Sequence, residues 1–142
     1  MKDLLRFDGF YLCLDRLQHL GSVRILFFKP DRTGVRADSI FPSEIRQNER
    51  RVRAYIYQTY VKLRSKNIQN FSGFLKSKNL NRKVLHQPLL EVPRKFYYRI
   101  NNMEISIYYY KNKANSSHGK IKTDSLTFSG RYELFEFVAF KE

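Results

Sequence analysis

Nucleophilic catalysis needs a base beside a serine or cysteine, and this chain offers three histidines, His19, His86 and His118, and one cysteine, Cys13. None of the histidines neighbours a G-x-S-x-G elbow, and no P-loop, H-E-x-x-H, EF-hand or dinucleotide fingerprint occurs. They read as loop or surface residues. A single cysteine without C-x-x-C or Cys/His spacing forms no intramolecular disulfide and no metal cluster, so Cys13 is expected as a small buried apolar residue. Asp8 and Asp15 are the nearest approach to an acid/base pair, but nothing in their spacing brings them together; turn and surface roles fit better. The sequence assigns no catalytic residue, no metal ligand and no cofactor, and it does not point to an enzyme.

Binding is better represented. Tyr97 and Arg99 share one face of a predicted strand, and Tyr108 and Tyr110 share a face of the next. A guanidinium donates two parallel bonds to a carboxylate, so this set, turned into a barrel, would suit a small apolar or amphipathic ligand. The opposite face of the first strand, with Phe96, Tyr98 and Ile100, is more apolar, which would turn Arg99 outward instead. A second set lies on a predicted helix: Arg46, Arg50, Arg51, Arg53, Lys62, Arg64 and Lys66, with Tyr55 and Tyr57 among them. Such cations neutralise phosphates and such rings stack on bases, so a nucleic acid, another polyanion or an acidic protein is the alternative partner. No helix-turn-helix spacing, RNP-type aromatic set or zinc finger accompanies the charge, and a solvated helix face is the plainer reading.

The charge distribution sharpens that alternative. The formal charge is +14, yet residues 1–45 carry 7 basic and 6 acidic side chains, whereas residues 46–122 carry 18 and 3. The excess lies in the centre, around the helix. No segment approaches the ~20 apolar residues of a membrane-spanning helix. The first residues, "MKDLLRFDGFYLCLD", mix acids and bases into their apolar run and do not read as a signal peptide. The cytoplasm is the default compartment; a leader removed in maturation would make the protein exported.

At 142 residues, with 42% apolar residues and 12 Phe and 10 Tyr, the chain is expected to be one domain with its own core. A strand is predicted over residues 5–15. In "GSVRILFFK", Val23, Ile25 and Phe27 alternate with Ser22, Arg24 and Leu26, the pattern of a half-buried strand. "PDRTG" supplies a turn, with Gly34 expected to take the positive φ, and "VRADSIF" a third strand. A helical insertion is predicted over about 43–79, with Ser43 as N-cap, the stripe Ile45, Val52, Ile56, Tyr60 and Leu63 inward, and Asn67 ending the first helix. Phe71, Phe74 and Leu75 are the inward set of a second. After a proline-containing crossing come closely spaced strands in "RKFYYRI", "MEISIYYYK", "HGKIK" and "SLTFS". The closing strand, in "GRYELFEFVAFKE", is apolar on both faces.

Taken together, "FDGFYLCLD", "PDRTG", "FYYRINNMEISIYYY", "GKIKTDSLTF" and "RYELFEFVAF" resemble the small bacterial lipocalin-like (calycin) barrel proteins. Tyr98, Ile100, Asn102 and Ile105 stand for one strand-pair pattern of that group, and Gly119, Ile121, Asp124 and Leu126 for the next. The likeness covers roughly the first 41 residues and the last 50. Gly9-Phe10-Tyr11 stands where classical lipocalins carry G-x-W, so the resemblance is to the wider barrel group, and it carries over no ligand or catalytic residue. It implies a mainly β fold, an antiparallel lipocalin-like barrel of eight or nine strands, with one or two helices after strand three.

Overall fold

The computed structural model describes residues 4–80, 87–109, 116–130 and 133–141. Its strands are β1 (Gly9–Cys13), β2 (Ser22–Phe28), β3 (Thr33–Ile40), β4 (Leu89–Leu90), β5 (Arg94–Asn101), β6 (Glu104–Tyr108), β7 (Ser117–Lys122), β8 (Ser125–Phe128) and β9 (Glu133–Ala139). Helices are α1 (Leu17–Leu20), α2 (Ser43–Arg46), α3 (Glu49–Tyr60), continued by a 3-10 turn Val61–Arg64, and α4 (Ile68–Leu80). Every strand pairing is antiparallel, in the order β2-β1-β9-β8-β7-β6-β5-β3. Pairing of β2 with β3 closes the ring into an eight-stranded barrel, and β4 is an extra strand laid on the end of β3. Closure removes the open edges that a meander of this kind would otherwise expose.

Helices α2–α4 cover the outer faces of β1, β2 and β3. Val52, Ile56, Tyr60, Leu63, Phe71 and Leu75 pack there on Phe10, Leu12, Val23, Ile25, Phe27, Val35 and Ala37. A second cluster fills the barrel: Tyr11, Leu26, Phe28, Phe96, Tyr98, Ile105, Ile107, Ile121, Leu126, Phe128 and Phe135. The strands between the two clusters have no wet face. β1 is buried at every residue, and in β2 the supposed solvent face carries Leu26 and Phe28 into the barrel. The expectation of a half-buried β2 is thus corrected. So is that of a doubly covered last strand, because β9 lies beyond most of the helical layer and exposes Leu134 and Glu136.

Local chemistry explains the remaining differences. In the β2–β3 turn, Arg32 takes the positive φ of 70°, steadied by Asp31, whose carboxylate accepts from the Thr33 amide at 3.0 Å and hydroxyl at 2.6 Å. Gly34 is required for a different reason. A Cβ there would collide with the Phe96 ring, so the bare glycine lets that ring lie across β3 inside the barrel. The inserted helix breaks after α2 because Asn48 caps α3, accepting from the Arg51 amide at 3.1 Å. Asn67 likewise begins α4, by accepting from Asn70, rather than ending the preceding helix. Asn79 clips β4 in place through both the amide and the carbonyl of Leu90.

The segment before β1, assigned to the first strand by sequence, instead crosses one end of the barrel. Leu5 is buried in the inner cluster, with Leu4 and Phe7 beside it. The Arg6 amide donates to Tyr11 Oη at 3.0 Å, and the Arg6 guanidinium holds Asp8 at 2.7 Å and Asp124 at 2.8 Å. Among the described residues no helix is long and apolar enough to cross a membrane.

Candidate functional site

The inward-facing positions change character along each strand. β2 places Phe28, Leu26 and Arg24 on the inside; β3 places Gly34, Arg36 and Asp38; β9 places Phe137, Phe135 and Glu133. From the end crossed by Leu4–Phe7 to the other, the lumen passes from aromatic to aliphatic to charged. The aromatic end is packed by its own rings: Phe28 meets Tyr11 at 5.6 Å, Phe96 at 5.2 Å and Tyr98 at 5.1 Å between centroids. Space opens at the far mouth, a pocket of about 570 Å³ with a floor of Leu26, Ile107, Phe128 and Phe135 and a wall of Arg24, Arg36, Tyr109 and Glu133.

The wall is a connected network. Register sets Arg24 opposite Asp38, and Arg24 Nε donates to Asp38 Oδ1 at 2.9 Å. Arg36 Nη2 donates to the other carboxylate oxygen at 3.0 Å, and its Nη1 donates to Tyr109 Oη at 3.1 Å. Glu133 stands 3.5 Å from Arg24 and 3.8 Å from Arg16. Arg94 lies over the Tyr109 ring at 4.4 Å. Burial pushes the Asp38 carboxyl up, but hydrogen bonds from Arg36 and Arg24 outweigh it, and the group lies below the ordinary carboxylate value. Burial works against charge on Arg36 too; Asp38 and Tyr109 outweigh it and keep the guanidinium protonated.

Three cations, Arg16, Arg24 and Arg36, thus meet two carboxylates, Asp38 and Glu133, and Arg94 lies beyond them over Tyr109. Arg36 Nε is buried and has no hydrogen-bond partner among the described residues. A buried donor left unpaired costs free energy. The arrangement can hold an anion by its charged end above an apolar floor. None of Arg24, Arg36, Asp38, Tyr109 or Glu133 was singled out as a site residue from sequence. The signal was present as R-x-L-x-F, G-x-R-x-D and E-x-F-x-F, in which a charge keeps period-two register with a buried aromatic or a bare glycine.

The residues expected to bind the ligand lie elsewhere. Tyr97, Arg99 and Tyr108 alternate with the inward-facing Phe96, Tyr98 and Ile107 and stand on the outer face of the barrel. There the rings of Tyr97 and Tyr108 stack at 5.9 Å with planes 23° apart, and Arg99 is exposed. Tyr110 lies outside the described residues.

The basic helix divides in two. Arg46 donates to the Phe41 carbonyl at 3.1 Å, Arg53 to Glu136 at 2.6 Å, and Arg64 to the Lys141 carbonyl at 3.0 Å, while Tyr57 Oη accepts from the Lys141 amide at 2.7 Å. These tie the helices to the barrel. Arg50, Arg51, Lys62 and Lys66 are exposed to solvent.

His118 sits in β7, its ring between Ser106 Oγ at 2.9 Å and Ser116 Oγ at 3.2 Å; His19 is exposed at the end of α1, and His86 lies outside the described residues. Asp8 and Asp15 flank opposite ends of β1. Cys13 is buried, which pushes its thiol up to about 11.

No protein-family model, curated protein or solved structure matches this chain. The closed eight-stranded antiparallel barrel is compatible with a calycin-like fold.

Proposed function

We propose that this protein binds a small amphipathic anion in the mouth of its barrel. The observation that carries this reading is Arg36: its guanidinium is oriented by Asp38 and Tyr109, and it stands over an apolar floor. About 570 Å³ falls within the usual range of small-molecule sites. A carboxylate suits the fork geometry of the guanidinium, and an alkyl or aryl body suits Leu26, Ile107, Phe128 and Phe135. The guanidiniums of Arg24 and Arg36 at the mouth favour an anion over its neutral analogue.

Competition against the fluorescent probe anilinonaphthalene sulfonate tests this. Decanoate should displace the probe roughly 10-fold more effectively than decanol, the size of one charge-assisted hydrogen bond. Equal displacement by the two, or no probe binding at all, sinks the reading.

A polyanion or an acidic protein on α3 ranks second. Arg50, Arg51 and Lys62 support it by their solvent-facing positions, but Arg46, Arg53 and Arg64 are engaged as tethers.

A further inference from the structure

The outer faces of β5, β6 and β7 lie outside the helix-covered cluster on β1–β3, and their side chains form an ordered pattern. Outward positions are Lys95, Tyr97, Arg99 and Asn101 on β5, Glu104, Ser106 and Tyr108 on β6, and His118, Lys120 and Lys122 on β7. Register turns these into rows across the strands. Tyr97 faces Tyr108, Arg99 faces Ser106, and Ser106 faces His118. The stacked tyrosines make a flat aromatic surface, with Lys95 Nζ 5.3 Å from the Tyr97 ring centre. Beside them runs a shallow groove of about 450 Å³ lined by Ser106, His118, Lys120, Lys122 and Thr127.

From this we infer that the outer face of β5–β7 is a binding platform for single-stranded nucleic acid, a site outside the barrel that adjoins the mouth at His118. Bases stack on aromatic rings without regard to sequence, and cations alongside neutralise the phosphates. The face supplies both, with Lys95, Arg99, Lys120 and Lys122 against the carboxylate of Glu104. His118, held by Ser106 and Ser116, borders the groove with polar atoms that can meet sugar or phosphate. A protein partner fits less well. Protein interfaces are depleted in lysine, and this face carries Lys95, Lys120 and Lys122. A duplex fits less well too, because its bases are already stacked and would leave the tyrosines unused.

The test is fluorescence anisotropy with labelled, mixed-sequence DNA and RNA single strands of about 12 nucleotides, titrated at low and at moderate salt. The unaltered protein should bind saturably at low salt, more weakly as salt rises. Y97A/Y108A should weaken binding by roughly 10- to 100-fold, the range for losing one or two stacked bases. K95E/R99E should weaken it and flatten the salt dependence, by a log–log slope of about 1–2. R50E/R51E, on the helix, should bind like the unaltered protein. All variants change half-buried or exposed side chains, and thermal melting checks that each is folded; K95E/R99E alone decides if the tyrosine variant is not. No saturable binding at low salt overturns the inference. So does loss in R50E/R51E with retention in Y97A/Y108A or K95E/R99E, or equal affinity for a duplex of the same length.

Discussion

Ser39 Oγ and Tyr60 Oη lie 2.7 Å apart in the seam between β3 and α3, and neither residue has any solvent exposure. This bond sits within an otherwise apolar interface of Phe10, Val52, Ile56 and Phe71. Burial raises the Tyr60 phenol above its ordinary pKa, with the Ser39 bond acting the other way, so the hydroxyl stays neutral. Each hydroxyl satisfies the other.

Tyr60→Phe should therefore destabilise the fold by about 1–3 kcal/mol, the cost of leaving a buried hydroxyl unpaired. The double variant Ser39→Ala/Tyr60→Phe should lose less than the sum of the two single changes. Urea unfolding of the four proteins checks this, and strict additivity contradicts it.

Asp38 gives the mouth a pH dependence whose sign is fixed. Its carboxyl is held below the ordinary value of 3.8 by Arg36 and Arg24 against the effect of burial. The stability it contributes is complete above that value and is lost as pH falls through the lowered one. Comparing melting temperatures of the unaltered protein and Asp38→Asn should show a gap at neutral pH that narrows below about pH 4. A gap that widens on acidification would be wrong in sign.

Glu133 faces both Arg24 and Arg16. Glu133→Gln removes one of the two carboxylates of the wall and should tighten decanoate binding by roughly 3- to 10-fold, more at low salt than at high. Arg36→Met should instead remove the preference for decanoate over decanol while leaving the apolar floor to bind both. Displacement of the same fluorescent probe reads both variants.

Gly34→Ala puts a methyl group into the Phe96 ring. Overpacking of this kind costs about 1–3 kcal/mol, and Phe96→Leu in the same chain should recover part of it. By contrast, Arg53→Ala breaks ion pairs to Glu136 and Glu49 that are 37% to 59% exposed and should cost under about 1 kcal/mol. Urea unfolding reads all three variants.

The barrel and its helical insertion were legible because both rest on local signals. Alternation marked the strands, and the stripe Val52, Ile56, Tyr60, Leu63 faced inward as its spacing required. The site was not legible for a reason found in β2. Reading Val23, Ile25 and Phe27 as its buried face made Arg24 and Leu26 the wet one. A barrel strand beneath a helix has two dry faces, and which of them is the lumen depends on closure through distant pairings such as β1 with β9. The same ambiguity made Tyr97, Arg99 and Tyr108 candidates for the interior. Their neighbours Phe96 and Tyr98 were apolar enough to take it.

The segment pinned by Arg6 across the far end has a kinetic meaning. With Leu5 and Phe7 seated there and Arg6 clasped to Asp8 and Asp124, the barrel is a cup and not a tube. An anion bound at the mouth, as proposed, would enter and leave past Arg24 and Arg36, against the same charges. Residence time is then governed at one rim, and substitutions at Asp124 should leave dissociation rates alone while those at Arg36 change them.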